Sequence, residues 1–220
     1  IIFLFLLYSF VKSIFNISNI VFELLGYPIS YVELIGTLFG FISVYLASRA
    51  SILTWATGII NELFLFILFF QVQLYADMFL QIYFFVLTLF GWYNWNKKLN
   101  QKSISKTNLQ TRIWIIIIII LGTILAGFFF ANIHFYLPQY FKTESSFPYV
   151  DSLVMMLSIF ATILLAQKKI ETWYLWIVID IICIFLFFKK GIIFLGIEYF
   201  LFLGLATYGL LNWKRELENG

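Results

Sequence analysis

An all-α polytopic membrane protein is predicted, on three observations: the composition, a series of bilayer-length apolar runs, and a duplicated text. The chain has 220 residues, 63% hydrophobic, 22% aromatic and 11% charged, against roughly 25% charged in ordinary soluble domains. With 28 Phe, 13 Tyr and 7 Trp there is too little polar surface to cover a water-soluble globule, so lipid is the solvent for most of the chain. Disordered, collagenous and nucleic-acid-binding classes are excluded on the same ground. The single cysteine, Cys183, permits no disulfide and no multi-cysteine metal site. The chain opens on Ile1 rather than Met, so an N-terminus further upstream is expected.

A hydrocarbon core of about 30 Å requires about 20 apolar helical residues. Runs of that kind fall at 1–16, 30–48, 51–71, 74–96, 113–131, 149–167, 171–188 and 191–213. The dividers are the stretch 17–30, Ser48-Arg49-Ala50-Ser51, Gln71-Val72-Gln73, the linker 97–112, the loop 132–148 with the sole histidine His134, Gln167-Lys168-Lys169, and Lys189-Lys190-Gly191. Eight helices result. Barrel strands are disfavoured because even the β-branched run Ile115–Ile120 lacks alternation of apolar and polar residues.

Orientation follows from the basic residues, which concentrate in short cytoplasmic loops. One side collects Arg49, Lys97, Lys98, Lys102, Lys106, Arg112, Lys168, Lys169, Lys214 and Arg215; the other has Lys12, Lys142, Lys189 and Lys190. The first side is expected to face the cytoplasm, with the C-terminus.

The duplication appears at an offset of 118 residues, as between Tyr31 and Tyr149. Tyr31-Val32-Glu33 aligns with Tyr149-Val150-Asp151, Thr54-Trp55 with Thr172-Trp173, Glu62 with Asp180, Gly91 with Gly209, Asn94-Trp95 with Asn212-Trp213, and Lys97 with Arg215. Equivalent spans lie an even number apart, so two parallel three-helix units are expected, joined by the fifth span, with substrate held between them near the midplane. The divisions are 1–29 (first helix and external loop), 30–96 (first unit), 97–148 (basic loop, linker helix, external loop) and 149–220 (second unit and C-terminus). Gly36 and Gly40 in the second span have the spacing for close helix approach.

Polar groups in hydrocarbon are costly, so each one within a span is a pathway candidate. These are Asn61, Glu62, Asp77, Gln81, Asn94, Asp180, Glu198 and Asn212, with Glu33 and Asp151 in first turns where the helix dipole favours acids. Trp173, Trp176 and Asp180 are spaced to share one helix face, a stacking wall with a carboxylate that suits a flat or cationic ring. Gln81, Phe84, Thr88 and Gly91 form a second stripe. No histidine-based metal or catalytic set can be built, and no channel filter is present.

The run Gln81-Ile82-Tyr83-Phe84 through Gly91-Trp92-Tyr93-Asn94-Trp95 resembles the motif of the PnuC nicotinamide riboside transporters. In the second half, Glu171-Thr172-Trp173-Tyr174-Leu175-Trp176, with Tyr208-Gly209 and Asn212-Trp213, resembles that family's WxxW helix and closing helix. The resemblance spans about residues 30–215. It implies a SWEET-like 3+1+3 fold with an extra N-terminal helix, a bacterial inner-membrane location, facilitated uptake of nicotinamide riboside, trapping of the substrate by a cytoplasmic kinase, homotrimers, and no cofactor. One departure from sugar-carrying SWEET proteins stands out: Pro28, Pro138 and Pro148 all lie in loops or at span starts, so a mid-helix proline hinge is lacking.

A planar pyridinium with a carboxamide and ribose hydroxyls asks for aromatic faces, amides and acceptors. On that chemistry Trp173 and Trp176 stack the ring and Gln81, Asn61 and Asp180 take polar atoms, with Phe84 on the Gln81 stripe counted in the site and Glu62 and Glu198 as further candidates. Three other readings remain open: a carrier of another flat vitamin such as riboflavin or thiamine, an ion-coupled carrier titrating Glu62, Asp180 or Glu198, and a membrane enzyme or scaffold subunit.

Overall fold

The computed structural model describes residues 13–24, 26–71, 75–96, 103–139, 146–189 and 193–219. A short hairpin, β1 (Ile20–Leu24) and β2 (Tyr27–Ser30), precedes seven helices: α1 (Tyr31–Ser48), α2 (Leu53–Gln71), α3 (Tyr75–Asn96), α4 (Leu109–Tyr136), α5 (Pro148–Ala166), α6 (Glu171–Lys189) and α7 (Ile193–Asn219). Six of them are long and apolar enough to cross a membrane, and the chain is a multi-pass membrane protein. The helices fall on the apolar runs read from the sequence. The first of those runs, 1–16, lies almost wholly outside the described residues, as do Lys12, Lys97, Lys98, Lys102, Lys142 and Lys190 of the charge pattern.

Two expectations need correction. The stretch 17–30 is not simply a polar divider: β1 and β2 pair antiparallel, with Leu24 opposite Tyr27 and Phe22 opposite Ile29, so Pro28 stands in a strand. Ile20, Val21 and Phe22 have the β-branched and aromatic character that favours extended backbone, and Gly26 at φ +79° closes the turn as glycine can. A two-stranded ribbon does not carry the apolar–polar alternation of a barrel strand. The linker helix is also longer than its apolar core, since α4 takes four residues from the linker 97–112 and extends to Tyr136, placing His134 in its last turn rather than in a loop. Asn108 caps it, its Oδ1 accepting from the Thr111 N–H at 2.7 Å, which moves the start back from the first apolar residue to the capped one.

The principal helix contacts close a ring. Each of α1, α2, α3, α5, α6 and α7 packs on the next, and α7 packs on α1; α4 lies outside, against α5. Its exposed flank of Ile116, Ile120, Leu125 and Phe128 suits contact with lipid. Small residues set the α1–α2 spacing. A side chain on Gly40 would stand 3.0 Å from Asn61 Nδ2, and one on Gly36 would stand 3.3 Å from Leu65, so the glycine pair serves close approach within the chain. The Asn61 amide donates to the Gly36 carbonyl at 2.8 Å, and the Thr54 hydroxyl donates to the Ser43 carbonyl at 2.9 Å.

Contacts recur at the 118-residue spacing. The Thr172 hydroxyl donates to the Ala161 carbonyl at 2.8 Å, as Thr54 does to Ser43. Ala50 and Lys168, at φ 49° and 52°, are the described non-glycine residues in the left-handed region, and each ends a first helix with matching bonds: Ala50 N to Ala47 O and Ser51 N to Leu46 O, Lys168 N to Leu165 O and Lys169 N to Leu164 O. Such a residue satisfies carbonyls the helix end leaves open.

The segment 103–108 straps across the same end of the ring. Ser105 N donates to Lys168 O at 3.1 Å and Ile170 N to Ser105 O at 3.0 Å. Arg112 pairs with Glu171 at 2.6 Å, and the Glu171 carboxylate also accepts from Thr107 N at 3.0 Å. The strap inserts Ile104, 6% exposed, into a cluster with Ala47, Trp173 and Trp213.

Candidate functional site

The ring's buried polar side chains define the site. In α2 and α3, Glu62 and Gln81 are each 8% exposed and line one cavity of about 200 Å³ with Leu63, Phe66, Ile82 and Phe85. One Glu62 oxygen accepts from the Thr88 hydroxyl; the other is buried without a partner. In α6, Asp180 is 3% exposed. It lies near Tyr199 of α7, which is also near Glu198 and hydrogen-bonds Cys183. Glu198 hydrogen-bonds the Thr37 side chain of α1 and lies near Glu33. Removing a carboxylate from water is costly unless a cation, a donor or a proton compensates it. A cationic ligand or a titrating proton is therefore the chemistry these groups can serve.

The sequence-predicted residues divide by location. Gln81 shares its cavity with Glu62, and Asp180 and Glu198 both lie near Tyr199. Asn61 ties α2 to α1. Phe84 is half-buried beside Tyr83, the ring centroids 5.8 Å apart. Trp176 is half-buried and packs against two clusters, one around Trp213 and one around Ile179 and Cys183. Trp173 is 1% exposed at the strapped end of the ring, where its edge meets Trp213 at 5.6 Å and 87°. Asp77 belongs to α3, with its side chain outside the described residues.

Tyr199 and Thr37 were not singled out in the sequence. A signal existed for Tyr199: the 118-residue offset aligns it with Gln81. Thr37 follows Gly36 in an ordinary apolar span, and only the fold brings it to Glu198. At the hairpin, the Tyr27 hydroxyl donates to Glu33 Oε1 at 2.9 Å, and burial, then the Glu33 charge, pushes its pKa up to about 12. Ser30 caps α1, its Oγ accepting from Glu33 N at 3.2 Å, so the first-turn acid is held through its amide by the cap and through its carboxylate by β2.

Basic residues gather at the opposite end of the helices. Arg49 donates to the Tyr208 hydroxyl at 3.4 Å, a bond that, with the nearby tyrosines, holds its pKa above the usual value. Lys168 lies 4.8 Å over the Trp95 ring, and burial there pulls its ammonium below its ordinary value.

The profile of the nicotinamide mononucleotide transporter family matches residues 30–215. The nicotinamide riboside transporter PnuC of Escherichia coli K12 is 30% identical over 227 residues, covering 90% of this chain and 93% of that protein. The riboflavin/roseoflavin transporter RibM of Streptomyces davaonensis is 24% identical, covering 87% and 88%. The crystal structure of the vitamin B3 transporter PnuC has the same fold, with a TM-score of 0.64 and 20% identity, over 86% of this chain and 83% of that one.

Proposed function

The chain belongs to the nicotinamide mononucleotide transporter family, a family of transporters rather than enzymes, and from that premise we propose that it takes up nicotinamide riboside by facilitated diffusion. The observation that carries this reading is the near-full-length match to a nicotinamide riboside transporter, joined to a ring whose buried groups are carboxylates and amides with aromatic neighbours. The substrate lies between residues 30–96 and 149–220, two parallel three-helix units linked by α4 in a 3+1+3 arrangement, with a further helix before residue 30 completing eight spans. The matching contacts at 118-residue spacing and the closed ring support that arrangement. The units are related by a pseudo-twofold axis along the membrane normal. The protein sits in a bacterial inner membrane as a homotrimer with its C-terminus in the cytoplasm, consistent with the basic residues at that end.

Within the site Trp176 and Phe84 supply aromatic faces for the pyridinium, and Trp173 backs the Trp176 wall. Asp180 and Glu198 balance the ring's positive charge, while Gln81 and Asn61 meet the carboxamide and ribose. Removing the Gln81 amide by Gln81→Leu is expected to weaken nicotinamide riboside binding several-fold, because a buried polar partner is lost, with the melting temperature in detergent little changed. Unaltered affinity in calorimetric titration removes Gln81 from the site.

The function itself is tested by calorimetry of the purified protein with nicotinamide riboside, nicotinamide, nicotinamide mononucleotide, riboflavin, thiamine and glucose. Saturable binding of the riboside alone supports the reading. A second reading, a riboflavin carrier, is favoured by the RibM relative and wins if riboflavin gives the signal.

A further inference from the structure

We propose that four tryptophans, Trp55, Trp95, Trp213 and Trp173, form the cytoplasmic gate of the pathway; the inference rests on the transport reading and adds the residues that open and close one end. Their rings form an unbroken series across the ring of helices. Trp55 meets Trp95 edge-on at 5.2 Å and 88°, Trp95 meets Trp213 at 6.5 Å, and Trp213 meets Trp173 edge-on at 5.6 Å and 87°. Edge-to-face contacts at these distances are attractive.

Two of the four indoles fasten the two halves to each other. Trp213 on α7 donates its Nε1–H to the Ala47 carbonyl at the end of α1, at 3.1 Å. Trp95 on α3 donates to the Ala166 and Leu165 carbonyls at the end of α5, at 3.1 and 3.3 Å. Each closing helix thus grips the first helix of the opposite unit at its last-turn carbonyls, of which Ala47 O and Leu165 O also accept from Ala50 N and Lys168 N. The α1–α7 and α3–α5 seams complete the ring, so both must part at this end for a solute to leave.

The other two indoles are what make the closure reversible. Trp55 and Trp173 are buried, at 3% and 1% exposure, and the Nε1–H of each lacks a hydrogen-bond partner. A buried donor without an acceptor costs free energy, and an end that opens to water satisfies both at once. The closed gate therefore combines two bonded indole donors with two unbonded ones, which holds the closed and open states near balance rather than locking one. The strap biases this balance on one side, because Ile104 enters the Trp173 and Trp213 part of the series.

The test uses the full chain in lipid nanodiscs without substrate. Trp213→Phe and Trp95→Phe keep a ring and remove the donor. Hydrogen exchange of the peptides covering 46–51, 103–108 and 164–170 is expected to rise at least threefold, with 27–36 at the opposite end unchanged. Trp114→Phe on exposed α4 serves as the control. In proteoliposomes the same variants are expected to shift net nicotinamide riboside flux at least threefold while calorimetric affinity stays within twofold. Exchange that is unchanged, or that rises evenly along the chain, overturns the gate. If Trp213→Phe fails to fold, Trp95→Phe, whose ring is only half-buried, decides. Should the wild-type protein carry no nicotinamide riboside, the transport reading falls, and the substrate-free exchange result still judges the four-tryptophan closure.

Discussion

Trp176→Ala is expected to weaken nicotinamide riboside binding tenfold or more while leaving the helices assembled. A desolvated cation over an indole is worth about 2 kcal/mol, and stacking adds about 0.5–1.5 kcal/mol. Tenfold corresponds to about 1.4 kcal/mol, so partial loss of either contribution already reaches it. The side chain is half-buried between two clusters, so truncation also removes packing, and the experiment needs a control for that. Trp176→Phe keeps most of the volume and a weaker π face, and is expected to fall between wild type and alanine in affinity with the same melting temperature. Equal affinity for all three proteins in calorimetric titration takes Trp176 out of the site.

Gly209→Ala is expected to lower the melting temperature by several degrees, against the usual trend for glycine in a helix. Helix propensity alone favours alanine by about 1 kcal/mol. At Gly209, however, the new Cβ would stand 2.6 Å from the Trp173 ring, which is itself 1% exposed and braced by Trp213. Overpacking against a ring that cannot retreat costs about 1–3 kcal/mol, and it dominates. Gly204 on the same helix has nothing within 4 Å of such a Cβ, so Gly204→Ala is expected to hold or raise the melting temperature. A Gly209→Ala protein as stable as the Gly204→Ala protein contradicts the tight fit of Trp173.

The spans were legible because lipid imposes a length and a polarity that the text must obey. Helix ends were less so: Asn108, a capping residue inside a basic linker, starts α4 before its apolar run begins. The hairpin was missed because its residues are too few to bear on a search for spans. For the candidate site, polar residue types single out Gln81, Asp180 and Glu198, since each is conspicuous in an apolar run. Their grouping was not legible, because it depends on which helices touch; Gln81 shares a cavity with Glu62, whereas Asp180 lies near Tyr199. Trp173 shows the remaining gap. Its spacing to Trp176 and Asp180 marks a shared helix face, but only the neighbouring glycine at 209 and the ring of Trp213 reveal how deeply that indole is enclosed.

The paired contacts also have a bearing on how an asymmetric cargo is held. Walls that repeated perfectly would offer a molecule with two unlike ends a pair of opposed poses of equal energy, and half of all entries would present the wrong end to each partner. The repetition fails at many positions, and some of these are the polar positions of the candidate site. Gln81 stands where the other half has Tyr199, Asn61 where it has Ile179, Thr88 where it has Ala206, and Glu198 where the first half has Leu80. Thr88 can donate to Glu62, whereas Ala206 leaves Asp180 no such donor. Under the proposed transport reading these mismatches remove the degeneracy, and the departures from duplication, more than the duplication itself, would decide which end of the cargo faces which carboxylate.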